Sequence, residues 1–251
     1  ATLCNTPGTF IRQPIVINRH GEWLLPLFRC IGMPGEKWSG DEDFASVLIS
    51  RDAGETWSMH DVPESIGAVH MNIIDLGGDQ MVAFYRHRFA EHILRSRSSD
   101  GGRIWSAPEP TNLPNNNSSI QATRLVDGRI AMVYNHSSAF TSTDRRLSLY
   151  DEIETDLPSP VEPAPTDRRK AVWGVPRAPV SLAFSSDGGA TFGDRRDIET
   201  GDGYCLTNNS KDGLNRELSY PSILPGQDDS LYLAFTYHRS AIKLVQLWLS
   251  S

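Results

Sequence analysis

The side chains of this chain that could do chemistry form one recurring set: arginines, a tyrosine next to a glutamate, a histidine and several amides. Tyr220 follows Glu217 by three residues, so the carboxylate could turn towards the phenol. A phenol of ordinary pKa, roughly 10, is a weak nucleophile at neutral pH, and a carboxylate acting as base would activate it. His70 is a second candidate general base. Arg12, Arg86, Arg177 and Arg239 could hold a carboxylate, because a guanidinium fork binds one through two parallel hydrogen bonds. Asn117 and Asn135 could offer amides to sugar hydroxyls. Each has a plainer reading: ion pairs between structural units for the arginines, packing for Tyr220 and His70, polar turns for the amides.

The carboxylates that look most like a glycosidase pair are better read as fold residues. Ser50-Arg51-Asp52-Ala53-Gly54-Glu55-Thr56-Trp57 fits the pattern S-x-D-x-G-x-x-W. Ser98 to Trp105 repeats it, and Ser185 to Phe192 repeats it with Phe in the last place. Each copy follows a β-rich run. Asp accepts hydrogen bonds from its own turn, Gly supplies the positive φ, and the aromatic packs beneath. Asp52, Asp100 and Asp187 are therefore expected in hairpins, not in catalysis.

Those octets belong to a longer repeat that must position the reactive set. Phe10 to Ile17 and Trp23 to Arg29 read as a hairpin, as do Val69 to Leu76 with Met81 to Arg86. Ser119 to Val126 with Ile130 to Asn135, and Ser219 to Leu224 with Leu231 to Tyr237, repeat it. A period of this length with antiparallel units predicts an all-β propeller of about four visible blades. In such a fold, first-strand starts and second-strand ends converge on one mouth. Those positions hold Arg12, His70, Asn72, Asn117, Ser119 and Tyr220, then Arg29, Arg86, Asn135, His136, His238 and Arg239. Residues 139–175 form an insert at the same mouth, with an acidic, Pro-rich run at 151–165, and Arg177 lies where it rejoins the sheet. Loops of that length inside a compact domain are usually functional lids or disordered. Asp41 and Asp43 read as a solvated hairpin.

Composition narrows the classes. A charged fraction of 22% and a hydrophobic fraction of 39% fit a folded globular chain, read here as one domain over residues 1–251. The net charge of −7 argues against nucleic acid as the main partner. No apolar run reaches membrane-span length, and the first residues lack a signal peptide's basic and apolar regions. The compartment is left open. Neither metal nor cofactor is expected, since no Cys or His cluster has ligand spacing. Among Cys4, Cys30 and Cys205, a Cys4–Cys30 disulfide is available to an exported chain, and buried thiols are the blander reading.

The octets resemble the Asp boxes, or BNR repeats, of the sialidase (neuraminidase) superfamily. The chain is most similar to its bacterial BNR-repeat-like, "predicted neuraminidase" branch. Gly8 to Pro14, Leu113 to Ile120, Glu217 to Ile223 and Thr236 to Lys243 carry the likeness. The resemblance implies a six-bladed propeller, of which this chain is the later two-thirds, with a further chain as the partner that would complete it. It also implies an exo-acting glycoside hydrolase on an acidic terminal sugar, with an arginine triad on the carboxylate and a Tyr nucleophile assisted by Glu. Tyr220-Pro221-Ser222-Ile223 approximates the nucleophile's surroundings, and Arg12 before Pro14 loosely matches the N-terminal arginine motif, with Gln13 intervening. Two alternatives stay open. One is a lyase eliminating from a uronic-acid glycoside with a His base, and the other is a non-catalytic glycan-binding propeller.

Overall fold

The computed structural model describes residues 2–32, 37–146, 168–227 and 229–249. The acidic run at 151–165 lies outside the described residues. The described chain is built from four antiparallel sheets, each following the last in sequence. The first contains β1 (Thr9–Ile11), β2 (Val16–Ile17), β3 (Trp23–Arg29), β4 (Phe44–Ser50) and β5 (Ser58–Asp61), with β1 and β2 both paired to β3. The second runs β6 (Ala68–Gly77), β7 (Gln80–His87), β8 (His92–Ser98), β9 (Glu109–Pro114). The third runs β10 (Gln121–Arg124), β11 (Ile130–Asn135), β12 (Val180–Ser185), β13 (Gly193–Glu199). The fourth is β14 (Leu218–Pro225), β15 (Ser230–Tyr237) and β16 (Ala241–Trp248). This is the four-blade propeller arrangement that the repeat implies. No described helix is long and apolar enough to cross a membrane.

Apolar layers between consecutive blades hold the sheets together. Along β7, Met81, Ala83 and Tyr85 pack towards Leu24 and Val47 of the first blade. The alternate residues Val82 and Phe84 pack towards Ile120, Met132 and Tyr134 of the third. A strand covered on both faces reads as one continuous apolar run, which is why β7 lacks the alternation of a half-exposed strand. Leu182, Phe184, Leu218, Leu233 and Phe235 repeat the arrangement between the third and fourth blades.

The octets fold alike. Ser50, Ser98 and Ser185 each bond the Asp two residues on, and each Asp accepts a backbone N–H at 2.8–3.0 Å from the fourth residue of its turn. The Trp57 and Trp105 indoles donate to the carbonyls of Gly54 and Gly102. Phe192 has no such donor and instead meets Phe84 edge-on at 5.6 Å. Gly189 explains why these turns also join blades: a Cβ there would lie 2.4 Å from the Phe84 ring of the preceding blade. Ser98 pairs with Met81 at the start of β7, whereas Arg86 stands near its end. The octets and the reactive set therefore occupy opposite ends of the strands.

Three sequence expectations need correction. Phe10 to Ile17 is not one strand: β1 and β2 are separate, with Arg12 to Ile15 between them. Asp41 and Asp43 are not a solvated hairpin, since they are 8% and 0% exposed and tie loops together. The third blade's first strand starts at Gln121, because Asn115 to Ser119 are held in a buried turn by side-chain amides. All three cysteines are free thiols, and Cys30 donates to Asp43.

The docking of octets onto neighbouring blades yields a paired prediction. Gly188 and Gly189 both have positive φ, but a Cβ at Gly188 meets only Leu76, at 3.5 Å. Gly188→Ala should lose about 1 kcal/mol through backbone strain alone. Gly189→Ala should lose roughly 2–4 kcal/mol, because overpacking against Phe84 adds to that strain. Urea denaturation midpoints check this, and equal losses would contradict the interblade contact.

Candidate functional site

The reactive side chains reach the mouth by a repeated backbone device. In β6 the pairing slips between Val69 and Asn72, and in β14 between Ser219 and Ser222. His70 (φ 57°) and Tyr220 (φ 53°) sit in these bulges in the left-handed region. A non-glycine residue there is strained by roughly 1–2 kcal/mol, and a bulge re-aims its side chain. Ser119 stands at the matching register of the third blade, three residues before Ala122, and its hydroxyl lies 3.1 Å from His70 Nδ1. Arg12 falls in the break between β1 and β2.

These positions open on a cavity of about 580 Å³. Five arginines line it (Arg86, Arg88, Arg146, Arg177 and Arg239), and Glu217 is the one carboxylate in its lining among the described residues. Glu217, 1% exposed, is fully engaged. Arg177 Nη1 donates to both of its oxygens at 3.1 and 3.2 Å, and Arg239 Nε lies 3.2 Å from Oε1. The Ser219 hydroxyl and the Asn215 amide complete its shell at 2.5 and 3.3 Å. Burial alone would raise Glu217, but Arg177, Ser219 and Arg239 outweigh it and hold the carboxyl at about 2.

The two arginines of the second blade differ in their partners. Arg88 donates through Nε and Nη2 to Asp43 at 2.9 and 2.7 Å, both groups being buried. Trp38, Trp173 and Phe28 surround its guanidinium at 5.1–5.8 Å. Arg86, 4% exposed, has no carboxylate among the described residues within ion-pair distance. Its Nε donates to Asn117 Oδ1 at 2.8 Å, its Cζ lies 5.7 Å from the centre of the Trp173 ring, and it is near enough to the Tyr220 phenol for the two charges to act on each other. Burial, and then repulsion from Arg88, lower its affinity for a proton. A buried guanidinium nonetheless stays charged at neutral pH, so Arg86 is a cation awaiting an anion.

Those cations set the chemistry of Tyr220 and His70. Arg177, stacked 5.7 Å over the Tyr220 ring, and then Arg86 pull the phenol down to about 8, against burial and the Glu217 charge. Tyr220 is still 40% exposed and lines the cavity. Burial and the charges of Arg86, Arg88, Arg12 and Arg177 push His70 well below its usual range, which keeps the imidazole neutral.

The structure therefore brings His70, Arg86, Arg177, Glu217, Tyr220 and Arg239 to one cavity. Asn117 stands behind Arg86 as its acceptor. Arg12 is outside the lining but close enough to feel the Tyr220 charge. Asn135 is elsewhere: its amide donates to the Pro179 and Leu218 carbonyls between blades. Glu217's hydrogen-bond partners are Arg177, Arg239, Ser219 and Asn215, and Tyr220 is not among them. Sequence reasoning missed Arg88, Trp38 and Trp173. Arg88 had a signal, lying two residues beyond Arg86 at the same strand end. The two tryptophans had a weaker one, as aromatics in long loops outside any octet. Among the described residues no group of three or more His, Cys, Asp or Glu could hold a metal.

Comparison with solved structures places this architecture among sialidase propellers. A Hadza microbial sialidase superposes with a TM-score of 0.58 at 14% identity, covering 94% of this chain and 36% of that one. A mutant of the NanB sialidase from Streptococcus pneumoniae gives 0.52 at 14% identity, covering 92% and 29%. The intramolecular trans-sialidase from Ruminococcus gnavus gives 0.51 at 14% identity, covering 91% and 41%. The chain thus spans about a third of the length of these proteins, and the likeness is one of fold. No curated protein matches it. The family of BNR repeat-like domains matches residues 3–233, which takes in the first three sheets, the fourth as far as Leu233 in β15, and every residue of the cavity except Arg239. With its octets, its blades and that match, the chain belongs to the family of BNR repeat-like domains.

Proposed function

We propose that the cavity receives the carboxylate of an acidic terminal sugar on Arg86 and that the Tyr220 phenolate attacks the anomeric carbon, as in an exo-acting sialidase-like hydrolase. The observation that carries this reading is Tyr220 itself: an accessible phenol held at about 8 between two guanidinium groups. A lowered pKa is one of the ways an enzyme activates a weak nucleophile. In this scheme the phenolate oxygen bonds to the anomeric carbon, the glycosidic bond breaks, and the departing oxygen takes a proton from solvent water. Water then releases the sugar and returns the phenol. Glu217 acts by fixing Arg177 over the ring, and the sialidase names of the superposed structures support an acidic sugar as the ligand class.

One observation favours a second reading. His70 is neutral and sits among guanidinium groups, while the lining carboxyl, Glu217, is held ionised and cannot donate a proton. In a β-elimination from a uronic-acid glycoside, arginines neutralise the carboxylate and a neutral His removes the acidified C5 proton. The C4–O bond then breaks and leaves a 4,5-unsaturated uronate. Product analysis separates the two. A free acidic sugar from an aryl sialoside supports hydrolysis, a near-ultraviolet-absorbing product from a uronate oligosaccharide supports elimination, and retention without product supports a binding propeller.

Two outcomes are expected of the hydrolase. Tyr220→Phe should lower turnover on the sialoside at least ~10²-fold with little change in KM, because it removes the reacting atom and leaves the arginines in place. The pH dependence of kcat/KM should rise to a plateau above about 8, since the reactive phenolate is the form populated above that value. An unaffected variant, or a profile flat from pH 6 to 9, would remove Tyr220 from the chemistry.

A further inference from the structure

We propose that the short strap at residues 170–173, latched by Asp41, is a positioning device that holds Arg86 in its anion-binding geometry. The proposal rests on Arg86 as the anion site, and it assigns to the insert of the third blade a task at the second. The strap reaches Arg86 in two ways. The Trp173 ring lies 5.7 Å from the guanidinium, and the Val172 carbonyl accepts Asn117 Nδ2 at 2.8 Å while Asn117 Oδ1 holds Arg86 Nε, also at 2.8 Å. The strap in turn is fastened to the loop before β4. Asp41 accepts the Ala171 N–H at 2.7 Å and Lys170 Nζ at 3.0 Å, and the Ser39 carbonyl accepts Trp173 Nε1 at 3.1 Å. The Val172 N–H donates to the Arg88 carbonyl at 2.8 Å.

The physical need for such a device follows from charge. Arg86 and Arg88 repel each other, and Asp43 neutralises Arg88 alone. An arginine side chain has several freely rotating bonds, so a cation without a counter-ion leaves its burial site unless neutral partners hold it. The Trp173 face and the Asn117 amide are such partners, since an aromatic face attracts a guanidinium without cancelling its charge. Asp41 does not line the cavity, and its carboxylate bonds Lys170 and Ala171 of the strap. The Lys170 pair is 58% exposed on the lysine side and is worth little, which leaves the Ala171 N–H as the working latch.

The test uses the full chain and two readouts. One is KM and kcat, or Kd where there is no turnover, for the sialoside and the uronate oligosaccharide. The other needs no ligand: ultraviolet titration of Tyr220, taken as the difference from Tyr220→Phe, reports whether Arg86 still faces the phenol. Arg177, Arg12 and Glu217 are other charged groups that act on this phenol, and the strap's side-chain hydrogen bonds and ring contacts among the described residues go to other partners. Asp41→Ala and Trp173→Ala should each raise KM or Kd roughly tenfold, move the Tyr220 titration upward from about 8, and leave kcat nearly unchanged once the pH is high enough for the phenolate to form in the variant. Asp41→Asn keeps an acceptor for Ala171, and Trp173→Phe keeps an aromatic face, so both should stay near the parent. If Asp41→Ala does not fold, the Trp173 pair decides. Wild-type titration and affinity in both alanine variants would overturn the proposal. Should no acidic sugar bind the parent chain, the functional reading fails, and the titration still decides whether the strap positions Arg86.

Discussion

Several guanidinium groups share one mouth of this propeller, and their mutual repulsion is the constraint that the rest of the site answers. Arg86, Arg88 and Arg177 are held close enough for each to feel another's charge or that of His70. Burying like charges together is unfavourable unless each gains fixed partners. Asp43 from the first blade neutralises Arg88, and Glu217 at the entry to the fourth neutralises Arg177 and Arg239. Arg86 has the neutral Asn117 and Trp173 as its hydrogen-bond and ring partners, and no carboxylate among the described residues. The result is a cavity with a surplus of positive charge inside a chain whose net charge is −7. Local charge, not the total, decides what such a cavity attracts.

The partners come from all four blades, so the cavity exists only when the blades stand in register. That register is fixed far from it, at the opposite strand ends, where the octets dock. The glycine of the third octet meets the second blade with no room for a methyl group. The apolar layers between blades then fix the spacing. Precision at the mouth is thus set by packing elsewhere, as preorganised sites generally require. The strain of the bulges at His70 and Tyr220 is small beside that burial, and it turns two side chains of equivalent strand positions into the cavity.

Sharing a fold with sialidases does not fix the chemistry, because the same propeller can carry different sites. What narrows it is the state of particular groups. Tyr220 is made more acidic by its neighbours, His70 is kept neutral by them, and Glu217 is spent on ion pairs. Each of these states follows from the same surplus of guanidinium charge.

The octets, the strand pairs and the gathering of first-strand starts with second-strand ends were legible in the sequence. Turn chemistry and strand patterning are local, and a repeat multiplies the signal. Arg86, Arg239, Tyr220 and His70 were therefore expected at the mouth from strand position, Arg177 from where the insert rejoins the sheet, and Glu217 from its spacing to Tyr220; all six line the one cavity. Pairing was not legible, because it depends on loops far apart in sequence. Nothing near Asp43 announces that it will neutralise Arg88, 45 residues on. Nor does anything near Trp173 announce its bond to Ser39, 134 residues away. The spacing of Glu217 and Tyr220 suggested a direct pair, yet the tertiary structure gives Glu217 to two arginines, one from the segment before β12 and one from the turn between β15 and β16. Asn135 matched Arg86 in register but is turned between blades, where the Pro179 and Leu218 carbonyls needed a donor. The sequence alone determined that His70, Arg86, Tyr220 and Arg239 arrive at the mouth, because their arrival depends on strand register. Only the tertiary structure decided which of their charges are cancelled, because cancellation depends on contacts between blades.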